Sequence, residues 1–314
     1  MTADVSAGPA INQFEVKDLE SEAGSLAFET QSAFTSGQPR RKFVDTSGAG
    51  DFVFDDNTVF RQDHSLELQL GITDWFRVSA GIEYQQDRLD DPASIALANN
   101  FGALKLDELQ LEGVVVLSKA KTEGVGLGLF VEYNHPISGE VESPGQLFVG
   151  PIVEAHTGPW SLTANVAFVK FIGGHAAPGD TEFVRDEKWD FNYSLQGKHK
   201  YSETLSLALE AYGTIDRLGN SGTRGESAQL FGDFNQHRIG PVAYFTLSPG
   251  EHASKAGARS LAKDDDDKGG GKGGGDKDGD DDKEMSVTIG AGALFGLNEN
   301  TPDVTYKLSL EIEF

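Results

Sequence analysis

VTYKLSLEIEF, the sequence of residues 304–314, alternates apolar and polar side chains without a break. Every second residue from Val304 to Phe314 is apolar, and the residues between them are threonine, lysine, serine or glutamate. Because successive side chains of a β-strand point to opposite faces, this pattern predicts a strand with one apolar and one polar face. Such a strand fits either a soluble β-sandwich or a membrane barrel.

The same alternation recurs along the chain in paired segments. The clearest pair spans residues 60–84, where a short turn at Thr73 and Asp74 separates two runs of alternating apolar residues. Counting such segments predicts about twelve strands, an even number, as single-chain bacterial barrels require. Short turns and longer loops alternate between the strands, which favours an up-and-down order.

Aromatic residues form two groups at opposite ends of the predicted strands. Trp75 and Trp160 lie beside short turns, whereas Tyr84 and Trp189 lie near long loops. Two bands of rings are typical of the interfacial girdles of a membrane barrel. A soluble sandwich would use these rings as core, but closing so many long strands would bury glutamates on the other face.

A last strand that ends on an aromatic residue, here Phe314, resembles the ending of bacterial outer-membrane β-barrels, where that aromatic belongs to the assembly signal. The resemblance implies an all-β fold, a transmembrane antiparallel up-and-down β-barrel. The hairpin Leu66–Tyr84, with its turn GITDW at residues 71–75, resembles outer-membrane transporters encoded with aromatic-degradation pathways. That second resemblance implies uptake of small compounds.

The chain is predicted to form one barrel, residues 24–314, behind a short periplasmic lead-in, residues 1–23, whose alternation is weak. An insertion at residues 248–285 is rich in aspartate, glycine and lysine, and by strand count it lies on the periplasmic side. Because it has few apolar residues to bury, we expect it to be disordered. Residues 264–268, DDDDK, read like a protease-cleavage tag, which leaves both a natural and an engineered origin open.

The composition narrows the functional classes. The chain has 314 residues, no cysteine and a formal net charge of −24. The lack of cysteine excludes thiol chemistry and disulfides, and the acidic balance argues against nucleic acid as a partner. Neither a basic nor a long apolar stretch follows Met1, so no signal peptide is recognisable. We therefore expect a mature outer-membrane chain with an added start methionine.

One face of the predicted strands carries more acids than bases and should line the lumen. The residues expected to line it and to set selectivity are Glu67, Glu83, Glu108, Glu112, Glu132, Glu154, Glu210, Arg61, Arg77 and Arg238. This face predicts either a wet path for small cationic or neutral solutes that favours cations, or a packed polar network in a plugged structural barrel. Inward glycines, among them Gly126 and Gly128, favour the open path because they leave room.

The outer surface should contact membrane lipid and, at the extracellular rim, lipopolysaccharide. Arg40, Arg41 and Lys42 lie together in a predicted extracellular loop. Arginine suits bidentate contacts with phosphate, so we expect these three residues to contact lipopolysaccharide. A solvated cluster of loop charges is the alternative. We expect the barrel to be a monomer.

An enzyme is the remaining alternative, because some twelve-stranded outer-membrane barrels are lipid hydrolases. Residues 220–224, NSGTR, resemble the serine segment of the outer-membrane phospholipase family, but no histidine precedes Ser221 on the same strand. His64, His199 and His237 should face lipid, with no serine of matching height nearby in sequence. The seven histidines are scattered without metal-ligand spacing. We therefore predict no catalytic residue, no metal and no cofactor.

Overall fold

The structure is a computed structural model that describes residues 14–39, 41–44, 51–54, 57–90, 104–120, 123–137, 145–172, 174–175, 184–185, 188–218, 221, 235–247 and 285–314. Residues 1–13 of the predicted lead-in, Arg40 and residues 248–284 of the insertion lie outside these ranges. What the sequence predicts for them stays a prediction. No helix among the described residues is long and apolar enough to cross a membrane.

Twelve strands close into one barrel. They are β1 (Leu26–Gln38), β4 (Val59–Thr73), β5 (Phe76–Leu89), β6 (Lys105–Ser118), β7 (Gly124–Pro136), β8 (Gly145–Thr157), β9 (Trp160–Ile172), β12 (Trp189–Lys200), β13 (Leu205–Ile215), β14 (Gln236–Leu247), β15 (Ser286–Gly296) and β16 (Val304–Glu313). Two short hairpins stand apart from the barrel: β2 (Arg41–Val44) with β3 (Asp51–Phe54), and β10 (Gly174–His175) with β11 (Val184–Arg185). The predicted number of barrel strands is confirmed.

The barrel closes because its first and last strands pair with each other. β16 runs antiparallel to β1, from Glu313 opposite Ala27 to Val304 opposite Ser36. The Phe314 amide donates to the Leu26 carbonyl at 2.9 Å. Closure leaves no unpaired sheet edge, whose polar groups lipid could not satisfy. The alternating stretch at the end of the chain therefore supplies the last segment of the wall.

Apolar and polar side chains lie on the opposite faces of the wall from those they occupy in a soluble protein. Leu111 and Leu117 on the outer face are 61% and 62% exposed, whereas Glu132 and Glu210 on the inner face are 2% and 0% exposed. Large apolar side chains outside and carboxylates inside are what a lipid-facing barrel needs. The fold is a closed, all-antiparallel transmembrane-type β-barrel, as predicted.

The two ends of the barrel differ in their connections. At one end, here called the turn end, residues 74–75 join β4 to β5, residues 158–159 join β8 to β9, and residues 201–204 join β12 to β13. Gly158 has a φ of 55°, a left-handed conformation that glycine adopts readily. The opposite end, here called the loop end, has longer connections than these three, and the connection between β14 and β15, residues 248–285, belongs to the turn end. β1 begins and β16 ends at the turn end.

Candidate functional site

Residues 14–22, here called the lumen segment, precede β1 and lie inside the barrel. The segment is anchored at the turn end, where the Ser21 hydroxyl donates to the Thr73 carbonyl at 2.6 Å. The Gly24 amide donates to the Gly71 carbonyl at 2.7 Å. A side chain at Gly71 would collide with the backbone carbonyl of Glu22, so glycine permits this close approach. Part of the predicted lead-in therefore occupies the lumen.

Lys17 holds the middle of the lumen segment against β6, β7 and β9. Its ammonium forms ion pairs with Glu112, with Glu132 at 2.9 Å and with Glu15 at 3.0 Å. The Asn165 side chain accepts from the Lys17 amide at 2.7 Å and donates to the Lys17 carbonyl at 2.8 Å. Burial alone would lower the pKa of Lys17, but Glu112 and Glu132 outweigh it and raise this pKa well above its usual value. These carboxylates therefore favour the charged form of Lys17.

Leu19 occupies the space over two inward glycines. A Cβ added to Gly126 would lie 2.8 Å from Leu19 Cδ1, and one added to Gly128 would collide with the other methyl group. Leu19 packs with Val114 in a buried apolar cluster, and its amide donates to Glu154 Oε1 at 2.8 Å. The expectation that these glycines keep a path open was wrong, because the space they leave receives the lumen segment.

Phe14, at the start of the lumen segment, packs against the side of the wall opposite to that contacted by Lys17 and Leu19. Its ring meets Tyr212 edge-to-face with ring centres 5.6 Å apart, and the Arg238 guanidinium lies 4.7 Å from the ring centre. Leu294 packs in the same buried cluster. Between the two walls, Asp18 forms an ion pair with Arg77. The segment thus crosses the barrel from the β4–β5 side to the β13–β15 side and fills the lumen at this level.

All ten residues predicted to line the lumen are buried in the barrel: Glu67, Glu83, Glu108, Glu112, Glu132, Glu154, Glu210, Arg61, Arg77 and Arg238. The structure brings half of them to the lumen segment, namely Glu112, Glu132, Glu154, Arg77 and Arg238. Arg61 instead donates from Nε to Asp63 at 2.7 Å. The role of these residues in selectivity stays a prediction.

Glu210 is the centre of a polar network away from the segment's anchor. Its carboxylate accepts hydrogen bonds from Tyr212 at 2.6 Å, from Gln196 at 2.7 Å and from Tyr244. The Lys307 ammonium lies 3.1 Å away and neutralises it. A carboxylate with an ion pair and three hydrogen bonds is fully satisfied, so Glu210 rigidifies the wall rather than remaining free for a passing ion.

Other glutamates face each other directly across neighbouring strands. The register places Glu29 opposite both Glu67 and Glu311, and it places Glu83 opposite Glu108. Like charges directly opposite in a sheet are destabilising. Among the described residues, no lysine or arginine forms an ion pair with any of these five side chains. Within the described part of the chain, Glu67 Oε1, Glu83 Oε1 and Glu108 Oε2 are also buried without a hydrogen bond.

A cavity of about 360 Å³, here called the turn-end cavity, lies between the lumen segment and the wall at the turn end. Carboxylates line it from two sides, with Glu29, Glu311 and Glu313 on β1 and β16 and with Asp18 and Glu20 on the lumen segment. A smaller cavity of about 40 Å³ lies beside Lys17 and Phe130. The lumen is therefore filled where the segment crosses it and hollow on the turn-end side.

On the outer face, the structure pairs two polar side chains that the sequence keeps far apart. Ser32 and His64 are cross-strand neighbours on β1 and β4, with 2.8 Å between Oγ and Nδ1. The His64 ring also meets Phe34 edge-to-face, with ring centres 5.7 Å apart. The prediction that His64 has no serine nearby in sequence missed this contact, because the β1–β4 register creates it. Each group satisfies the other in a wall that faces lipid.

The remaining predicted sites are only partly described. Arg41 and Lys42 lie in β2, and their contact with lipopolysaccharide stays a prediction. Ser221 accepts from the Trp189 amide at 2.7 Å and donates to the Trp189 carbonyl at 3.1 Å, so its hydroxyl ties a loop to β12. Within the described ranges, no three acidic or histidine side chains gather closely enough to hold a metal ion.

The fold can be compared with known proteins. No family model matches the chain, and no curated protein matches it. Among solved structures, it is similar to the COG4313 outer membrane channel from Pseudomonas putida F1, with a TM-score of 0.57, 13% identity and coverage of 95% of this chain and 98% of that one. It is also similar to the transport unit of the autotransporter AIDA-I from Escherichia coli, with a TM-score of 0.50, 13% identity and coverage of 96% and 94%. At these identities the similarity shows the fold, that of bacterial outer-membrane β-barrels.

Proposed function

We propose that this chain is a monomeric outer-membrane channel for the passive diffusion of small solutes and that it prefers cations. The observation that carries the proposal is the charge of the lumen. In the described part of the chain, nine buried carboxylates accompany six buried lysines and arginines. A low-dielectric wall focuses such an imbalance into a negative potential, which raises the local concentration of cations.

The outer surface and the fold support a location in the outer membrane. Leucines are widely exposed on the outer face, as contact with lipid requires. The similar solved structures include an outer membrane channel. Arg40, Arg41 and Lys42 are proposed to contact lipopolysaccharide at the loop end, which would then be extracellular, and the turn end would face the periplasm.

The lumen segment favours a second candidate, a barrel that stays plugged and has only a structural role. Lys17 and Leu19 anchor the segment to β6 and β7, and Phe14 anchors it to the opposite side of the wall. The turn-end cavity favours the channel, because the lumen is hollow beside the segment on the turn-end side. Conduction therefore requires either a narrow path beside the segment or its withdrawal.

Conductance across a planar bilayer under a KCl gradient separates the two candidates. The channel predicts a reversal potential that favours K⁺, and Glu67→Gln combined with Glu83→Gln should move that potential towards zero. These two carboxylates form no ion pair among the described residues, so their loss leaves no described base unpaired. Glu203→Gln, on the exposed turn between β12 and β13, is the control with the same chemistry. Silence at all voltages would support the plugged barrel, and anion preference would overturn the cation proposal.

A further inference from the structure

We propose that the turn-end cavity is a binding site for a small organic cation, of the class of aliphatic diamines. The inference deepens the proposed function, on which it rests only for the role of the site in transport. The site itself is argued from Glu29, Gln31 and Glu311 on the wall and from the acids of the lumen segment.

An acceptor without a donor marks the site. Gln31 lines the cavity and is 6% exposed, and its Nε2 donates to Glu29 Oε1 at 2.8 Å. Its other polar atom, Oε1, is buried without a hydrogen bond from any residue that the structure describes. A buried acceptor in this state costs free energy until a donor reaches it. Glu311 lies directly opposite Glu29, whose second oxygen accepts from Gln69 Nε2 at 3.4 Å. Acceptor groups of two neighbouring strands therefore converge here, and a bound molecule with N–H donors could bond to them.

The charge of the cavity is not balanced by its own bases. Three of the four lysines and arginines in the lining already form ion pairs: Lys17 with Glu15, Glu112 and Glu132, Arg77 with Asp18, and Lys307 with Glu210. The fourth is Lys198, whose ammonium lies 5.8 Å from the centre of the Tyr244 ring. Within the described residues, five lining carboxylates have no ion pair with a lysine or arginine: Glu20, Glu29, Glu154, Glu311 and Glu313. A bound cation would therefore find more negative than positive charge.

The geometry selects an organic dication over a metal ion. No three acidic or histidine side chains of the described ranges come close enough to chelate a metal. The volume of about 360 Å³ falls at the lower end of the range for small-molecule sites, about 300–1,000 Å³. Carboxylates face the cavity both from the wall, at Glu29 and Glu311, and from the lumen segment, at Glu20. Two ammonium groups joined by a short methylene chain can serve both sides, since each supplies three donors.

Calorimetric titration of the full chain in detergent at low salt tests the site with 1,4-diaminobutane as the probe. We expect saturable binding that weakens at least about tenfold when Glu29→Gln and Glu311→Gln are combined, because two charge-assisted hydrogen bonds are lost. Glu203→Gln should bind like the unmodified chain, and 1,4-butanediol, which is equal in length but uncharged, should not bind. The boiled and unboiled gel mobilities of each variant verify that the barrel is folded.

Three outcomes would overturn the site: no saturable heat, equal binding by the double variant and Glu203→Gln, or displacement by KCl of equal ionic strength alone. The last outcome would mean that the carboxylates attract a diffuse ion atmosphere. Bilayer recordings keep the two proposals apart. If the barrel binds the diamine but never conducts, the binding site is supported and the channel is refuted. If the barrel conducts K⁺ but does not bind the diamine, the channel is supported and the binding site is refuted.

Discussion

Two pairs of glutamates face each other across neighbouring strands of the lumen, Glu112 with Glu132 and Glu29 with Glu311. Both pairs come from the same alternation of polar and apolar residues, and both place like charges side by side. Lys17 of the lumen segment lies between the first pair, whereas no described lysine or arginine forms an ion pair with the second. One pair therefore holds the protein's own chain in the lumen, and the other remains available to a cation from outside.

Replacing Lys17, the cation that Glu112 and Glu132 share, should have the largest effect on the difference between the two glutamate pairs. Lys17→Ala leaves Glu112 and Glu132 buried without their partner, and breaking a buried ion pair in this way costs about 3–5 kcal/mol. We expect the lumen segment to leave its place and the bilayer conductance to rise. Because the chain has no cysteine, the rate at which a bulky maleimide labels Val16→Cys reports the withdrawal of the segment.

Lys200→Ala is the control for that experiment, since Lys200 is exposed at the turn end. It should leave both the labelling rate and the conductance unchanged. Equal labelling of Val16→Cys in the Lys17→Ala and Lys200→Ala backgrounds would show that Lys17 does not hold the segment.

Adding a side chain at Gly128, which Leu19 of the lumen segment covers, should have an intermediate effect. A Cβ at Gly128 would collide with Leu19 and would lie 2.9 Å from the Val115 carbonyl oxygen. Overpacking of this kind costs about 1–3 kcal/mol, so Gly128→Ala should loosen the segment and speed labelling of Val16→Cys. Gly197→Ala is the matched control, because nothing lies within 4 Å of a Cβ there.

A double-mutant cycle shows whether Gly128→Ala acts through the segment. Leu19→Ala removes the methyl groups that the new Cβ would meet. If the collision is the cause, adding Gly128→Ala to Leu19→Ala should have less effect than adding it to the unmodified chain. Strict additivity of the two substitutions would instead place the effect at the Val115 backbone.

Neutralising each glutamate pair should give small effects of opposite sign. Glu29→Gln with Glu311→Gln removes a repulsion and should stabilise the barrel by up to about 1 kcal/mol. Glu112→Gln with Glu132→Gln removes two of the three ion-pair partners of Lys17 and should destabilise the barrel. Both changes in stability can be measured as the urea concentration at which half of the protein loses the gel band that shifts on boiling. A lower midpoint for the first double variant would mean that Glu29 and Glu311 are already matched by a cation.

Much of the wall could be predicted from local pattern. Alternation with a period of two needs only neighbouring residues, and it correctly placed Glu67, Glu83 and Glu132 inside and Leu111 outside. The lumen segment carries no such pattern, because Lys17 and Leu19 contact β6 and β7 whereas Phe14 contacts the opposite side of the wall. Lys17 and Glu112 are distant in sequence and meet only after the barrel has closed. For the same reason the sequence did not reveal the contact between Ser32 and His64.

The sequence by itself determined an even-stranded barrel with an apolar outer face and an acidic inner face, because side-chain direction in a strand follows from position alone. The tertiary structure decided which carboxylates face each other, since that depends on the register of strands such as β16 against β1. It also decided that Lys17 forms ion pairs with both members of one glutamate pair while a cavity is left beside the other. These features differ from the wall in their physical origin: they arise from long-range packing of a polar segment, which no local period encodes.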